Sequence, residues 1–167
     1  MLAIFALAVW AINKYVINLS EVVTWMDARV PQWVIIGILF ISESFVGLLP
    51  PDAFIAWAKA FNHPYLMVLI LAFASYMGGV VSWVTGTQLH RLARVKNYVD
   101  VKFAEQFLTF KKYGGMVIFI SALTPLPFSP ISVVAGVVGY PLKSYLLVAL
   151  ARYIRFFLYA YFIFQVF

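Results

Sequence analysis

Five apolar stretches, separated by short clusters of charged residues, proline or glycine, organise the chain: Leu2–Asn18, Trp33–Ala60, Tyr65–His90, Met116–Tyr140 and Leu142–Val166. A helical membrane crossing needs about 20 apolar residues, so four of the five are long enough to enter or cross a bilayer as helices. The stretch 65–90 reads as a transmembrane helix with length to spare for tilt. Ala74, Gly78, Ser82 and Gly86 recur along it at every fourth position, a small-residue stripe against which another helix backbone can pack closely. The stretch 2–18 reads as a retained N-terminal helix, because Lys14 follows its apolar run where a signal peptide carries its positive charge in front; a cleaved leader is the alternative. Between the third and fourth stretches, residues 99–113 mix Val101, Phe103, Phe107, Leu108 and Phe110 with charges, the pattern of an amphipathic helix on a membrane surface.

Two of the stretches are interrupted. Residues 33–60 contain Pro50-Pro51 near their centre, and 116–140 contain Thr124-Pro125-Leu126-Pro127-Phe128-Ser129-Pro130 in the corresponding place, before Gly136. Proline has no backbone donor and disfavours helix at the residue before it, so several within a few residues break a helix. Each stretch is expected to form two short helices around a turn, a re-entrant hairpin, and a single kinked spanning helix is the alternative. Backbone freed at membrane depth must be satisfied by protein or by a wet cavity. Leu49-Pro50 matches Leu126-Pro127, and Pro64 matches Pro141, at one offset of 77 residues; Ala58, Leu69, Ala72, Ala74 and Tyr76 fall on Ala135, Leu146, Ala149, Ala151 and Tyr153 at the same offset. The chain therefore reads as two copies of a hairpin followed by a transmembrane helix, 65–90 in the first copy and 142–166 in the second. Chain direction makes the copies inverted, with the hairpin tips meeting near the midplane as in many transporters.

Composition fixes the class. Of the 167 residues 65% are hydrophobic and 11% charged, which places the chain among integral membrane proteins, all-α and with a single domain. No length remains for a soluble catalytic domain. The absence of cysteine excludes disulfides, thiolate metal sites and thiol nucleophiles, and His63 and His90 alone do not make a histidine-rich metal centre, so no metal or cofactor is expected. The net charge of +6 is mostly local: Arg91, Arg94, Lys96, Lys102, Lys111 and Lys112 face only Asp100 and Glu105 in one connection. Such a basic connection marks the cytoplasmic side and not a nucleic-acid surface.

Glu43 and Asp52 flank the first proline turn, and Arg152 and Arg155 lie about 9 and 12 residues into the last stretch, roughly 14 and 18 Å along a helix at 1.5 Å per residue. A carboxylate or guanidinium at that depth is costly and faces a partner, a cavity or a substrate. Three residues apart, the arginines share a face and can present two forks to one phosphate; equally, they can neutralise the two acids as a structural cluster. Glu43 and Asp52 are the candidates for proton coupling. A small-solute transporter would use the same charges within a more polar pocket, but Ser42, Ser44, Thr124, Ser129 and Ser132 are the main polar groups of the interrupted stretches. No histidine, metal motif or serine–lysine arrangement accompanies the acid pair, so an enzyme is not expected, and a purely structural membrane protein is the remaining alternative.

Glu43 followed by Pro50-Pro51-Asp52, the run Phe110-Lys111-Lys112-Tyr113-Gly114-Gly115, and the proline-rich turn leading to Val134-Ala135-Gly136 together resemble the DedA family, part of the wider VTT or SNARE-associated domain group. Thr124–Pro130 together with Ala151-Arg152-Tyr153-Ile154-Arg155-Phe156 is most similar to its short YqaA-type branch. The resemblance covers roughly residues 33–160. It implies two facing re-entrant hairpins and movement of lipids across a bilayer: return of undecaprenyl phosphate driven by protons in bacterial members, phospholipid scrambling in eukaryotic relatives. It also implies the bacterial cytoplasmic membrane as location, with membrane lipids, protons and, as a further possibility, a second copy of the chain as partners. In better-studied members an arginine lies three residues before the second hairpin's proline and another three after. Taking Pro125 as that proline, the positions here are Ala122 and Phe128, and Arg152 and Arg155 are the residues left to supply the positive charge.

Overall fold

The computed structural model describes residues 31–92 and 104–166, apart from positions 46, 48 and 125. The expected helix 2–18, the start of the expected amphipathic helix at 99–103 and Pro125 lie outside the described residues. Within them all regular structure is helical: α1 (Gln32–Phe45), α2 (Pro51–Ala58), α3 (Pro64–Arg91), α4 (Ala104–Leu123), α5 (Phe128–Val137), α6 (Leu142–Ala149) and α7 (Ala151–Val166). By length and apolarity α3 can cross a membrane, and so can α6 and α7 taken together as Leu142–Gln165.

Proline sets most of these boundaries. Pro51 is the first residue of α2 and Pro64 of α3, positions where the missing N–H would have no helical partner in any case. Pro127 and Pro141 precede α5 and α6 in extended conformation, and Pro130 sits in the first turn of α5. Glycine closes two of the ends. Gly47, at φ 62°, returns its N–H to the Ser42 carbonyl at 2.7 Å after α1. After α5, Gly139 at φ 70° lets the Tyr140 N–H reach the Ala135 carbonyl at 2.8 Å, a Schellman closure. Both interrupted stretches are therefore helix, break, helix, with the breaks where the prolines placed them.

One boundary differs from expectation. The amphipathic helix 99–113 and the first arm of 116–140 are not separate elements, because α4 runs unbroken from Ala104 to Leu123 through Gly114-Gly115. Two glycines weaken a helix by about 1 kcal/mol each relative to alanine but keep their N–H groups. Here they also make room: a Cβ at Gly114 would press on the Phe110 and Tyr140 rings, and one at Gly115 would meet the Tyr140 hydroxyl at 2.8 Å. The last stretch has a smaller irregularity at Leu150, between α6 and α7, where the Tyr153 N–H bonds the Leu150 carbonyl at 3.0 Å.

Helix α3 is central, with α5, α1 and α7 all packed on it. Its small-residue stripe receives two of them. A Cβ on Gly78 would meet the Glu43 Cβ at 2.8 Å, and Cβ atoms on Gly86 and Gly136 would overlap the Val133 and Trp83 carbonyl oxygens, so α1 and α5 touch α3 backbone to backbone. The Ser82 hydroxyl lies 3.0 and 2.8 Å from the Glu43 and Ser44 carbonyls and ties down the end of α1. Two apolar clusters result. One joins α1, α2, the first half of α3 and the far half of α7; the other joins α4, α5, α6, Ala151 and the second half of α3.

The exterior is apolar and the interior holds charge. Trp33, Met116, Leu147 and Ile154 are among the most exposed large hydrophobics, whereas Glu43, Arg152 and Arg155 are buried with Ser75, Ser82 and Ser129. Soluble domains bury ionised groups rarely and do not coat themselves in large aliphatics, so this polarity belongs to a protein solvated by lipid.

Candidate functional site

The four charged residues singled out in the sequence come together. Glu43 projects from the last turn of α1, Asp52 from the first turn of α2, and Arg152 and Arg155 from the first turns of α7. Arg152 Nη2 lies 2.5 Å from Glu43 Oε1, and only 1% and 4% of the two side chains is exposed. The same nitrogen bonds the Ser75 hydroxyl of α3. Ser129, at the start of α5, donates its hydroxyl to the other Glu43 oxygen, Oε2, at 3.1 Å. The Arg152 guanidinium also lies 4.5 Å from the Phe128 ring centroid and 5.8 Å from that of Phe156. An ion pair taken out of water is tolerable only with such close geometry and extra hydrogen bonds.

Arg155 is held differently. Its Nη1 donates to the Thr124 carbonyl at 2.8 Å, at the C-terminal end of α4, where helix carbonyls lack partners and favour a cation. Its Nη2 is 3.7 Å from Asp52 Oδ1, within ion-pair range but too long for a hydrogen bond, and its guanidinium lies 5.0 Å from the Tyr159 ring centroid. Asp52 keeps 29% of its side chain exposed.

These residues line one cavity of about 230 Å³, formed by Glu43, Gly47, Leu49, Pro50, Pro51, Asp52, Leu126, Pro127, Phe128, Arg152 and Arg155. Its walls are the two helix breaks, and the first turns of α2 and α5 face it, so two helix N-termini carry their partial positive charge to the same space. Among the described residues Asp52 Oδ1, Arg152 Nε and Arg155 Nε are buried without a hydrogen-bond partner. Buried polar atoms of this kind, an acceptor and two donors, are costly unless something fills the space beside them.

Of the other residues expected at the site, Pro50, Pro51 and Pro127 line the cavity, and Thr124 contributes its carbonyl to Arg155. Pro130 and Gly136 serve α5 instead, one in its first turn and the other in its contact with α3. Sequence reasoning missed Ser75. The signal was present, since Ser75 lies 77 residues before Arg152, between two other pairs matching at that offset. Among the described residues no cluster of three or more His, Cys, Asp or Glu that could hold a metal ion is found.

A family model described as VTT domain matches residues 49–165, most of the chain and the site's residues other than Glu43 and Gly47. The chain belongs to the VTT domain family. This agrees with the resemblance to the DedA family read from Glu43, the Pro-Pro-Asp turn and the Thr124–Pro130 turn, and together with the two apolar helices of crossing length it makes the protein an integral membrane protein. VTT domain proteins are generally linked to membrane transport. No curated protein and no solved structure matches the chain.

Proposed function

We propose that this VTT domain protein, of the YqaA-type branch, moves a lipid phosphate of the undecaprenyl phosphate kind across the bacterial cytoplasmic membrane, with proton uptake by Glu43 or Asp52 driving the cycle. The observation that carries the reading is the cavity between the two breaks, where two buried arginines hold Nε groups that have no hydrogen-bond partner among the described residues, beside two acids. An anion bound there replaces an acid as the counter-charge of an arginine, and the displaced acid becomes neutral by taking a proton. The apolar exterior suits a substrate whose tail stays in hydrocarbon. Phe128 occupies one position where better-studied DedA proteins carry an arginine, and its ring lies against Arg152, so positive charge reaches the same place from another helix.

We also propose that the two halves are inverted repeats of a re-entrant hairpin and a transmembrane helix. Ser75 touches Arg152, and the Tyr76 and Tyr153 rings are 5.8 Å apart; both pairs are separated by the repeat offset of 77 residues, so equivalent positions meet each other. Lys59 donates to the Phe164 carbonyl at 3.1 Å, and Thr87 lies 3.5 Å from the Gly136 carbonyl. Shifting one of these pairs by 77 residues and exchanging partners gives the other. Self-contacts with reciprocal cross-contacts are what a two-fold relation produces. The two apolar clusters obey the same exchange, each taking the far half of the other copy's long helix.

The test is reconstitution in liposomes, following transbilayer movement of a labelled polyprenyl phosphate and a labelled phospholipid with and without an inward proton gradient. Gradient-dependent movement of the polyprenyl phosphate that is lost in Arg155→Gln, with the variant's melting curve unchanged, supports the reading. Equal movement of both lipids, indifferent to the gradient, identifies a scramblase, and no movement by folded protein favours solute transport or a structural role.

A further inference from the structure

We infer that the four charges divide into a fixed pair, Glu43–Arg152, and an exchange pair, Asp52–Arg155, so that an incoming phosphate monoester or inorganic phosphate binds Arg155 and the proton taken up goes to Asp52. This rests on the anion-site reading above and decides between residues that reading leaves equivalent. Arg152 is committed through one nitrogen, Nη2, to Glu43 at 2.5 Å and to Ser75, and its guanidinium lies against the faces of Phe128 and Phe156, although its Nε has no hydrogen-bond partner among the described residues. Glu43 is equally committed, with Ser129 on its second oxygen. Opening this pair leaves a buried ion without its partner, at a loss far larger than a surface pair would suffer.

The second pair is loose. Asp52 Oδ1 and Arg155 Nη2 are 3.7 Å apart, Asp52 Oδ1 makes no hydrogen bond within the described residues, and the Arg155 Nε is buried and also unpartnered there. Arg155 can therefore gain a phosphate while giving up only a long contact, and its hydrogen bond to the Thr124 carbonyl holds the guanidinium in place meanwhile. Asp52, partly exposed in the first turn of α2, is the acid a proton can reach from water. The charged and titratable groups about it are Arg155, Arg152 and Tyr159 on α7 and, across the cavity, Glu43 on α1; α3 contributes the Ser75 hydroxyl through Arg152. Once phosphate occupies Arg155, Asp52 has no free cation beside it, since Arg152 remains with Glu43. For a phosphate bound as its monoanion, taking a proton from water restores neutrality there, and the proton leaves when the anion does.

Proton uptake is measured with an indicator dye in weakly buffered detergent solution as inorganic phosphate, and separately a short-chain polyprenyl phosphate, is titrated onto the full-length protein. Binding is followed in parallel by calorimetry. The expected result is one proton taken up per phosphate bound by the native protein, none taken up by Asp52→Asn although it still binds, and no binding by Arg155→Gln. Glu43→Gln, checked for folding by its melting curve, binds more weakly yet keeps its proton uptake per bound phosphate. Uptake that persists in Asp52→Asn, or binding that persists in Arg155→Gln, overturns the division while leaving the anion site standing. Failure of the folded native protein to bind either probe overturns both. Binding of the lipid alone identifies a headgroup as the source of the phosphate, and binding of both probes shows that the site recognises phosphate without its tail.

Discussion

At the scale of single residues, the site gathers a few polar groups of an apolar chain, and its tightest contacts join residues distant in sequence. Glu43 and Arg152 are 109 positions apart and nearly inaccessible, so neither can be removed singly without stranding the other. Arg152→Ala is expected to destabilise the fold by about 3–5 kcal/mol, the range for breaking a buried pair, measured as a loss of thermal stability in detergent. A loss below about 1 kcal/mol, the range of exposed pairs, contradicts the packing described. The four charged residues were legible from the sequence because an ionised side chain in an apolar run has few innocent explanations. Ser129 stood out only as a polar group of its stretch and Ser75 only by its offset from Arg152, and neither was assigned a partner, since a serine in an apolar helix more often bonds its own backbone, as Ser44 and Ser132 do.

At the scale of elements, proline and glycine write most of the architecture. The prolines located both breaks, and the four-residue spacing of small residues located the face of α3 on which α1 and α5 lie. What the sequence did not reveal is the continuity of α4, because Gly114-Gly115 reads locally as a boundary and only the neighbouring Tyr140 ring explains why glycine is needed inside a helix. The contacts separate two kinds of helical glycine. Gly136→Val would drive a side chain into the Trp83 carbonyl and is expected to cost at least about 1–3 kcal/mol, the usual penalty of overpacking. Among the described residues nothing lies within 4 Å of a Cβ added at Gly37 in α1, so Gly37→Ala should be neutral or stabilising by about 0.4–1 kcal/mol. Melting curves of the two variants test both statements, and a reversed order would show that α3 and α5 do not touch as described.

At the scale of the whole molecule, the 77-residue offset is the most informative pattern, since it links the interrupted stretches, the long helices and the contacts between them. Inversion predicts that the connection at 61–63 and the one at 138–141 face opposite sides of the membrane. The chain lacks cysteine, so Asn62→Cys and Gly139→Cys each give a single labelling site. A membrane-impermeant thiol reagent applied to intact cells should label the first and spare the second, whereas labelling of both from one side means that the halves are not inverted. The cavity between the breaks is the proposed anion site, and a structure of the protein in lipid nanodiscs with saturating polyprenyl phosphate would show whether it is filled. Phosphate density is expected within hydrogen-bonding distance of Arg155, in the space bounded by Leu49, Asp52 and Leu126, with the Glu43–Arg152 pair intact. An empty cavity, or phosphate bound elsewhere on the molecule, would contradict that assignment.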